Sequence, residues 1–218
     1  MPITYHRFAG SSLQRIAALS DGVFAVAMTL LVLNLKAPAA PHRGQHPLWS
    51  GGSEQVLLHG LLHDVAPRLL PYAMSFLTLG IFWVGQQAQL ESFTRSTRAL
   101  TWIHLIFLLA VTLMPFSTAL LAEDTSYRLP MLVYWLNLFA LGAVLFASLR
   151  YADRAGLLSD ETTAEMRAAL RRRIVVYQAL YALAALTCVI NTYLAIALLV
   201  ALQLNSVIAP RIGILDRA

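Results

Sequence analysis

The chain has 218 residues, of which 58% are hydrophobic and only 12% are charged, and its mean hydropathy is +0.65. A soluble domain carries roughly 25% charged residues, because it must cover itself with polar surface in water. The composition therefore excludes an ordinary water-soluble domain and predicts an all-α integral membrane protein. The net charge is +5, but the arginines flank apolar segments, so we expect membrane lipid as the surroundings and no nucleic-acid partner.

Six apolar segments are candidates for transmembrane helices, each of which needs roughly 20 residues to cross a bilayer. They cover residues 13–35, 69–90, 100–122, 129–149, 174–190 and 193–208, and a polar outer loop covers 36–67. Only Asn191 and Thr192 separate the last two segments, which predicts a tight helical hairpin, with one long unbroken helix as the alternative. Pro115 lies inside the third segment and is expected to kink it. We expect residues 1–218 to form a single domain of six transmembrane helices.

The basic residues predict the orientation of these spans. With the N-terminus inside, the cytoplasmic segments hold Arg7, Arg15, Arg95, Arg98, Arg150, Arg154, Arg167, Arg171, Arg172, Arg173, Arg211 and Arg217. The outer segments hold only Lys36, Arg43, Arg68 and Arg128. Twelve basic residues in the inner segments and four in the outer segments are a positive-inside bias, which predicts that both termini are cytoplasmic. The run at 167–173 lies in a predicted loop without the spacing of a voltage sensor, and we interpret it as a cytoplasmic anchor.

The first segment also has features of a cleavable signal peptide. Arg7 and Arg15 precede an apolar run, and Ala-Pro-Ala follows it at 37–39. Asp21 beside the run and Lys36 just after it argue against cleavage. The five later spans also favour an uncleaved first helix.

The outer loop contains a short amphipathic stretch at 53–65, with His59 and His63 four residues apart. This pair could hold a metal ion together with Asp64, His42 or His46. The spacing fixes no third ligand, so we prefer an interfacial helix with solvated histidines and predict no metal site.

Asp21 is the notable charge of the first span, because a carboxylate at the edge of an apolar helix is costly unless it is paired or hydrated. At about 100° per residue, one continuous stripe of this helix is formed by Val26, Thr29, Leu30 and Leu33. Ser20 and Asp21 lie on the opposite side, so the stripe and the carboxylate cannot both face one axis. Either the stripe lines a pore and Asp21 anchors the helix, or Asp21 faces a pore and the stripe packs against protein.

The segment around this aspartate, R-x-x-x-L-S-D-G-V-F-A-V-A-M-T-L-L-V-L at 15–33, resembles the signature of the transmembrane protein 175 family, the lysosomal-type potassium channels. The resemblance continues through S-F-L at 75–77, F-W at 82–83 and L-M-P-F-S-T-A-L-L at 113–121. The six-span length resembles the prokaryotic branch of the family. Members carry phenylalanine where this chain has Leu19, a change in bulk but not in polarity.

The resemblance implies a passive, potassium-permeable channel of the cytoplasmic membrane that has no enzymatic chemistry and no cofactor besides the permeant K⁺. It implies a homotetramer whose first helices surround the pore, without a re-entrant selectivity-filter loop. The hydrophobic constriction rings of the family fall on Val26, Leu30 and Leu33, and its threonine ring, implicated in potassium preference, falls on Thr29. Val26 is shorter than the usual residue, so we expect a slightly wider neck at that level.

The resemblance also implies that Arg15, Leu19, Ser20 and Asp21 form a structural motif that holds the pore helix in place, with Gln86, Gln87 and His104 as possible partners. Many prokaryotic relatives place histidines shortly after the second-helix tryptophan, where this chain has Gln86 and Gln87. Glutamine forms hydrogen bonds but carries no charge near neutral pH. His104 on the third helix could supply the imidazole instead.

Two other functional classes are less consistent with the sequence. A secondary transporter of an ion or small solute is expected to show interrupted helices, midplane charges or an inverted repeat, and none is evident. A membrane enzyme needs convergent nucleophilic, acid–base or metal-binding groups, and the spans supply only Asp21 and His104.

Overall fold

Seven α-helices account for most of the described chain, which in this computed structural model comprises residues 12–37, 55 and 58–208. They are α1 (Leu13–Leu31), α2 (Ala66–Glu91), α3 (Arg98–Thr112), α4 (Met114–Glu123), α5 (Arg128–Arg154), α6 (Ala164–Leu186) and α7 (Thr192–Ile208). Within the same residues, the β-structure is limited to one isolated antiparallel bridge between Phe93 and Leu158.

Five helical segments are long and apolar enough to cross a membrane, and Thr192–Val207 is a shorter apolar helix. The five are Leu13–Asn34, Leu58–Glu91, Arg98–Glu123, Arg128–Arg154 and Ala164–Val189. An all-helical chain with five to six apolar helices agrees with the predicted all-α membrane class.

The third apolar segment is interrupted at the predicted position. α3 ends at Thr112, and α4 begins at Met114 with Pro115 in its first turn. Proline has no backbone N–H to continue a helix, but its fixed φ suits a helix start. The expected kink is therefore a junction between two helices.

The arginine-rich segment before the fifth predicted span is helical, so the prediction that these arginines lie in a loop is wrong. α6 begins at Ala164, and Thr163 caps it by accepting a hydrogen bond from the backbone N–H of Met166 at 3.2 Å. Arg167 and Arg171 reach back to the Asp153 carboxylate near the end of α5, at 3.0 and 2.8 Å. Hydropathy detects only the apolar part of a helix, so the first turns of α6 were missed.

The outer amphipathic stretch is not a separate helix where it is described. Residues from Leu58 onward are helical and pass through a π-helical turn, Leu61–Val65, directly into α2. The His59 and His63 rings stack with their centroids 4.0 Å apart, and no cluster of three potential metal ligands occurs in the described part of the chain. Several residues considered above lie outside the described residues: Arg7, 38–39, His42, Arg43, His46, Arg211 and Arg217.

The helices form one bundle in which α1 packs against α2, α3 and α4, while α5 packs against α3, α4 and α6. α6 and α7 form the hairpin expected at Asn191, whose Oδ1 accepts hydrogen bonds from the backbone N–H groups of Tyr193 and Leu194 at 2.8 and 3.3 Å. α7 then returns to pack against α2. The core of the bundle is apolar and includes Phe24, Met74, Phe107 and Leu138.

A buried polar layer crosses this apolar core and joins α2, α4, α5 and α7. It consists of Ser75, Thr78, Thr118, Tyr134 and Gln203, all buried. Gln203 Nε2 donates to Thr78 Oγ1 at 2.7 Å, and Thr78 Oγ1 lies 3.1 Å from the Tyr134 hydroxyl. Thr118 Oγ1 lies 2.7 Å from Ser75 Oγ. These contacts fix the relative positions of four helices, because an unpaired polar group in an apolar interior costs several kcal/mol.

Candidate pore face and the polar cluster behind it

α1 has two distinct faces. Its buried face, which packs into the bundle, consists of Ile16, Ser20, Phe24, Ala27 and Leu31. The opposite face carries Val26 (57% exposed), Leu30 (42%) and Leu33 (70%), together with the exposed Thr29. We call these four residues the α1 stripe. An apolar stripe left uncovered by its own subunit is typical of a surface completed by lipid, by another subunit or by a pore.

The hydroxyl of Thr29, on this stripe, is oriented by a hydrogen bond to the backbone of its own helix. Its Oγ1 donates a hydrogen bond to the Val26 carbonyl oxygen at 2.8 Å. A hydroxyl has one proton and two lone pairs, so committing the proton to the backbone leaves the oxygen as an acceptor. The exposed side of Thr29 is therefore suited to a cation or to the hydrogen of a water molecule.

The outer part of α1 is wound more tightly than the sequence predicts. The α-helix ends at Leu31 and continues as a 3₁₀ turn, Val32–Asn34, rather than as α-helix to residue 35. A 3₁₀ turn has 3.0 residues per turn instead of 3.6, so Leu33 is rotated from its position on an ideal α-helix, although it stays exposed. Asn34 Nδ2 donates to the Pro115 carbonyl oxygen at 3.2 Å, which ties this end of α1 to the start of α4.

Asp21 is held by α2. Its Oδ1 accepts hydrogen bonds from Trp83 Nε1 at 2.8 Å and from Gln87 Nε2 at 2.7 Å. Hydrogen bonds to a carboxylate are roughly twice as strong as neutral ones. Sequence reasoning did not identify Trp83 as a partner of Asp21, although its four-residue spacing from Gln87 places both donors on one helix face.

Ser20 is buried and begins a chain of polar contacts through three further helices. Its Oγ donates to the Ile16 carbonyl at 2.8 Å and accepts from Gln86 Nε2 at 3.0 Å. Gln86 Nε2 also lies 3.2 Å from His104 Nδ1, and His104 Nε2 lies 3.1 Å from Ser148 Oγ. An amide nitrogen only donates, so His104 Nδ1 must accept, which assigns the neutral tautomer with its proton on Nε2.

We call this group the polar cluster: Ser20, Asp21, Trp83, Gln86, Gln87, His104 and Ser148. It joins α1 to α2, α3 and α5. Ser148 was also missed from the sequence, where its only signal is a lone hydroxyl in an apolar span. The described contacts do not connect the side chains of Arg15 or Leu19 to the cluster. Both are exposed, and the backbone N–H of Arg15 donates to the Ser12 cap.

Comparison with known proteins places the chain among ion channels. A family model described as the endosomal/lysosomal potassium channel TMEM175 matches residues 15–115, which include the α1 stripe and most of the polar cluster. A Streptomyces collinus protein described as a potassium channel is 35% identical over 150 residues, covering 67% of this chain and 67% of that protein. A second, from Chamaesiphon minutus, is 38% identical over 109 residues, covering 50% of this chain and 49% of that protein.

A comparison of the fold with solved structures leads to the same family and covers a longer part of the chain. The crystal structure of a lysosomal potassium-selective channel TMEM175 homolog from Chamaesiphon minutus superposes with a TM-score of 0.73 and 26% sequence identity. The match covers 91% of this chain and 98% of that chain. The chain therefore belongs to the TMEM175 family, a family of ion channels rather than enzymes.

Proposed function

We propose that this chain is one subunit of a potassium-permeable channel of the cell membrane, which conducts passively through a pore lined by α1. The relatives described as potassium channels support the activity. The observation that carries the assignment of the pore is the α1 stripe, which its own subunit leaves exposed although most of it is apolar.

The two faces of α1 have different roles in this proposal. Val26, Leu30 and Leu33 form apolar rings, which raise a barrier to hydrated ions where the pore is narrow enough to exclude water. Thr29 offers a hydroxyl oxygen that replaces part of the hydration shell of K⁺. The polar cluster sets the rotation of α1, because Ser20 and Asp21 form hydrogen bonds to α2 while the stripe stays exposed. Asp21 thus holds the helix and is not the ligand of the ion.

Assembly and orientation complete the proposal. Four copies of the chain surround the axis with their α1 helices, and both termini lie in the cytoplasm. The excess of arginine in the inner segments supports this orientation. Potassium preference then arises without a re-entrant loop of backbone carbonyls, from the Thr29 ring and the constriction.

Thiol modification tests the pore assignment. Cys188 is buried and is replaced by alanine to give a background without reactive thiols. Single cysteines are then placed at Val26 or Leu30, and a control cysteine is placed at Leu136, which is equally apolar and 58% exposed but lies on α5. Potassium flux is measured in liposomes before and after a water-soluble thiol reagent. We expect the reagent to reduce flux through Val26→Cys and Leu30→Cys and to leave Leu136→Cys unchanged.

Two outcomes would contradict the proposal. If modification changes flux at neither α1 position, the stripe does not line the pore. If potassium moves only when a second solute moves with or against it, the protein is a coupled transporter and not a passive channel.

A further inference from the structure

Three charged side chains meet where α1 ends. The Glu123 carboxylate, at the end of α4, lies 3.7 Å from Lys36 Nζ and 3.3 Å from Arg68 Nη1, measured to the same oxygen, Oε2. Lys36 follows the 3₁₀ turn that ends α1, and Arg68 lies in the first turn of α2. We call these three residues the mouth triad. It carries two positive charges and one negative charge.

The members of the triad differ in exposure. The side chains of Lys36 and Glu123 are 68% and 61% exposed, whereas the Arg68 side chain is only 21% exposed. Arg68 is therefore the more firmly held partner of Glu123, and Lys36 is the more exposed one. Asn34, two residues before Lys36, is tied to Pro115, which keeps this end of α1 beside α4.

Lys36 lies three residues after Leu33, next to the end of the proposed pore. Leu33 is the last residue of the α1 stripe, so in a pore lined by α1 the lysine stands just beyond the final apolar ring. Every subunit contributes one such lysine. A ring of exposed ammonium groups at the mouth of a cation channel repels the ions that the pore must admit.

The ion pair itself contributes little to folding. Exposed salt bridges stabilise a fold only weakly, because water screens them and two long side chains must be ordered. The long-range potential of the same charges is larger at low salt, where the Debye length reaches about 30 Å at 0.01 M. We therefore expect the loss of Glu123 to change the ion current more clearly than the stability of the fold.

We propose that Glu123 is a conductance-determining residue: it offsets part of the positive charge of Lys36 and Arg68 at the outer mouth and so sustains the influx of cations. This inference rests on the proposed pore. Removing the carboxylate leaves two uncompensated positive charges per subunit, and removing the lysine leaves the neutral pair of Arg68 and Glu123.

Single-channel recording of the full-length protein in planar bilayers tests the proposal. At about 20 mM KCl we expect Glu123→Gln to reduce the inward potassium conductance at least about two-fold and Lys36→Gln to increase it. At about 1 M KCl, where the Debye length is about 3 Å, both variants should approach the parent conductance. Outward conductance should change less, since ions leaving the cell meet the inner mouth first. The double variant Lys36→Gln/Glu123→Gln should lie between the two single variants.

Arg128→Gln is the matched control. It removes one outer positive charge from the start of α5, which is not among the helices that pack extensively on α1, so we expect a smaller change in conductance than for Lys36→Gln. The proposal is overturned if Glu123→Gln conducts like the parent at low salt. It is equally overturned if the loss is the same at both salt concentrations and in both directions, which is the signature of a structural change. A parent channel that passes no potassium refutes the proposed function itself, and the inference with it.

Discussion

At the scale of single residues, the hydroxyl of Thr29 shows how a small polar group can act on an apolar helix. Its proton is taken by the Val26 carbonyl, so only lone pairs face outward. A free hydroxyl could rotate and present a hydrogen, which repels a cation. The backbone bond therefore orients the dipole without any contact from another helix.

Replacing Thr29 by alanine should lower the preference for potassium over sodium, because the oxygen is lost while the helix is kept. A contribution of about 1 kcal/mol, the usual net value of one hydrogen bond, corresponds to about a five-fold change in the permeability ratio. Reversal potentials under bi-ionic conditions measure that ratio. Thr29→Ser keeps the oxygen and should stay close to the parent. An unchanged ratio in Thr29→Ala would remove Thr29 from the selectivity step.

The residues of the site were only partly predictable from the sequence. The α1 stripe follows from spacing alone, because its residues recur with the helical period. The contacts of Trp83 with Asp21 and of Ser148 with His104 do not, because spacing within one helix does not say which neighbouring helix it meets. Trp83 and Ser148 contact the cluster only because of the way α2 and α5 pack beside α1 and α3. Those contacts are tertiary, and no period in the sequence encodes them.

At the scale of helices, the contact between α5 and α6 depends on the small size of Gly142. A methyl group built on Gly142 would overlap the side chain of Gln178 on α6. Gln178 Nε2 donates to the Leu138 carbonyl at 3.3 Å, one turn before Gly142. Glycine thus leaves room for a side chain that reaches the backbone of the neighbouring helix.

Gly142→Ala should therefore destabilise the fold, because Gln178 must leave the Leu138 carbonyl to make room. The loss should be about 1 kcal/mol, the value of one hydrogen bond. Thermal unfolding in detergent, followed by circular dichroism, measures it. The double variant Gly142→Ala/Gln178→Ala relieves the overlap and should lose less than the two single changes added together. Additive losses would show that the two residues are not coupled.

The apolar, helical character of the segments was predictable, but the ends of the helices were not. The apolar segments and the interruption at Pro115 follow from hydropathy and from proline chemistry. α6, in contrast, begins ten residues before the predicted span at 174, since its first turns carry arginines that pair with Asp153. Hydropathy measures what lies in lipid, whereas a helix continues as long as its backbone hydrogen bonds and cap allow.

At the scale of the whole molecule, α5 offers a direct test of the orientation. Tyr127 precedes the helix and is 66% exposed, while Glu161 follows it in an exposed turn. In the Cys188→Ala background, Tyr127→Cys in intact cells should react with a membrane-impermeant thiol reagent. Glu161→Cys should react only after the membrane is permeabilised. The reverse pattern would place the N-terminus outside, and equal labelling of both positions would show that α5 does not cross the membrane.

The buried polar layer also has a consequence for biogenesis. Thr78 and Thr118 each donate to a carbonyl of their own helix, Met74 and Met114, so their hydroxyls are satisfied before any partner helix arrives. The side chain of Gln203 instead forms hydrogen bonds across the bundle, with Thr78 on α2 and with Tyr134 on α5. Since α7 follows α2, α4 and α5 in the chain, these three helices are synthesised before it. The acceptor of the Gln203 amide is therefore already synthesised when α7 enters the membrane, so the amide need not remain unpaired in lipid.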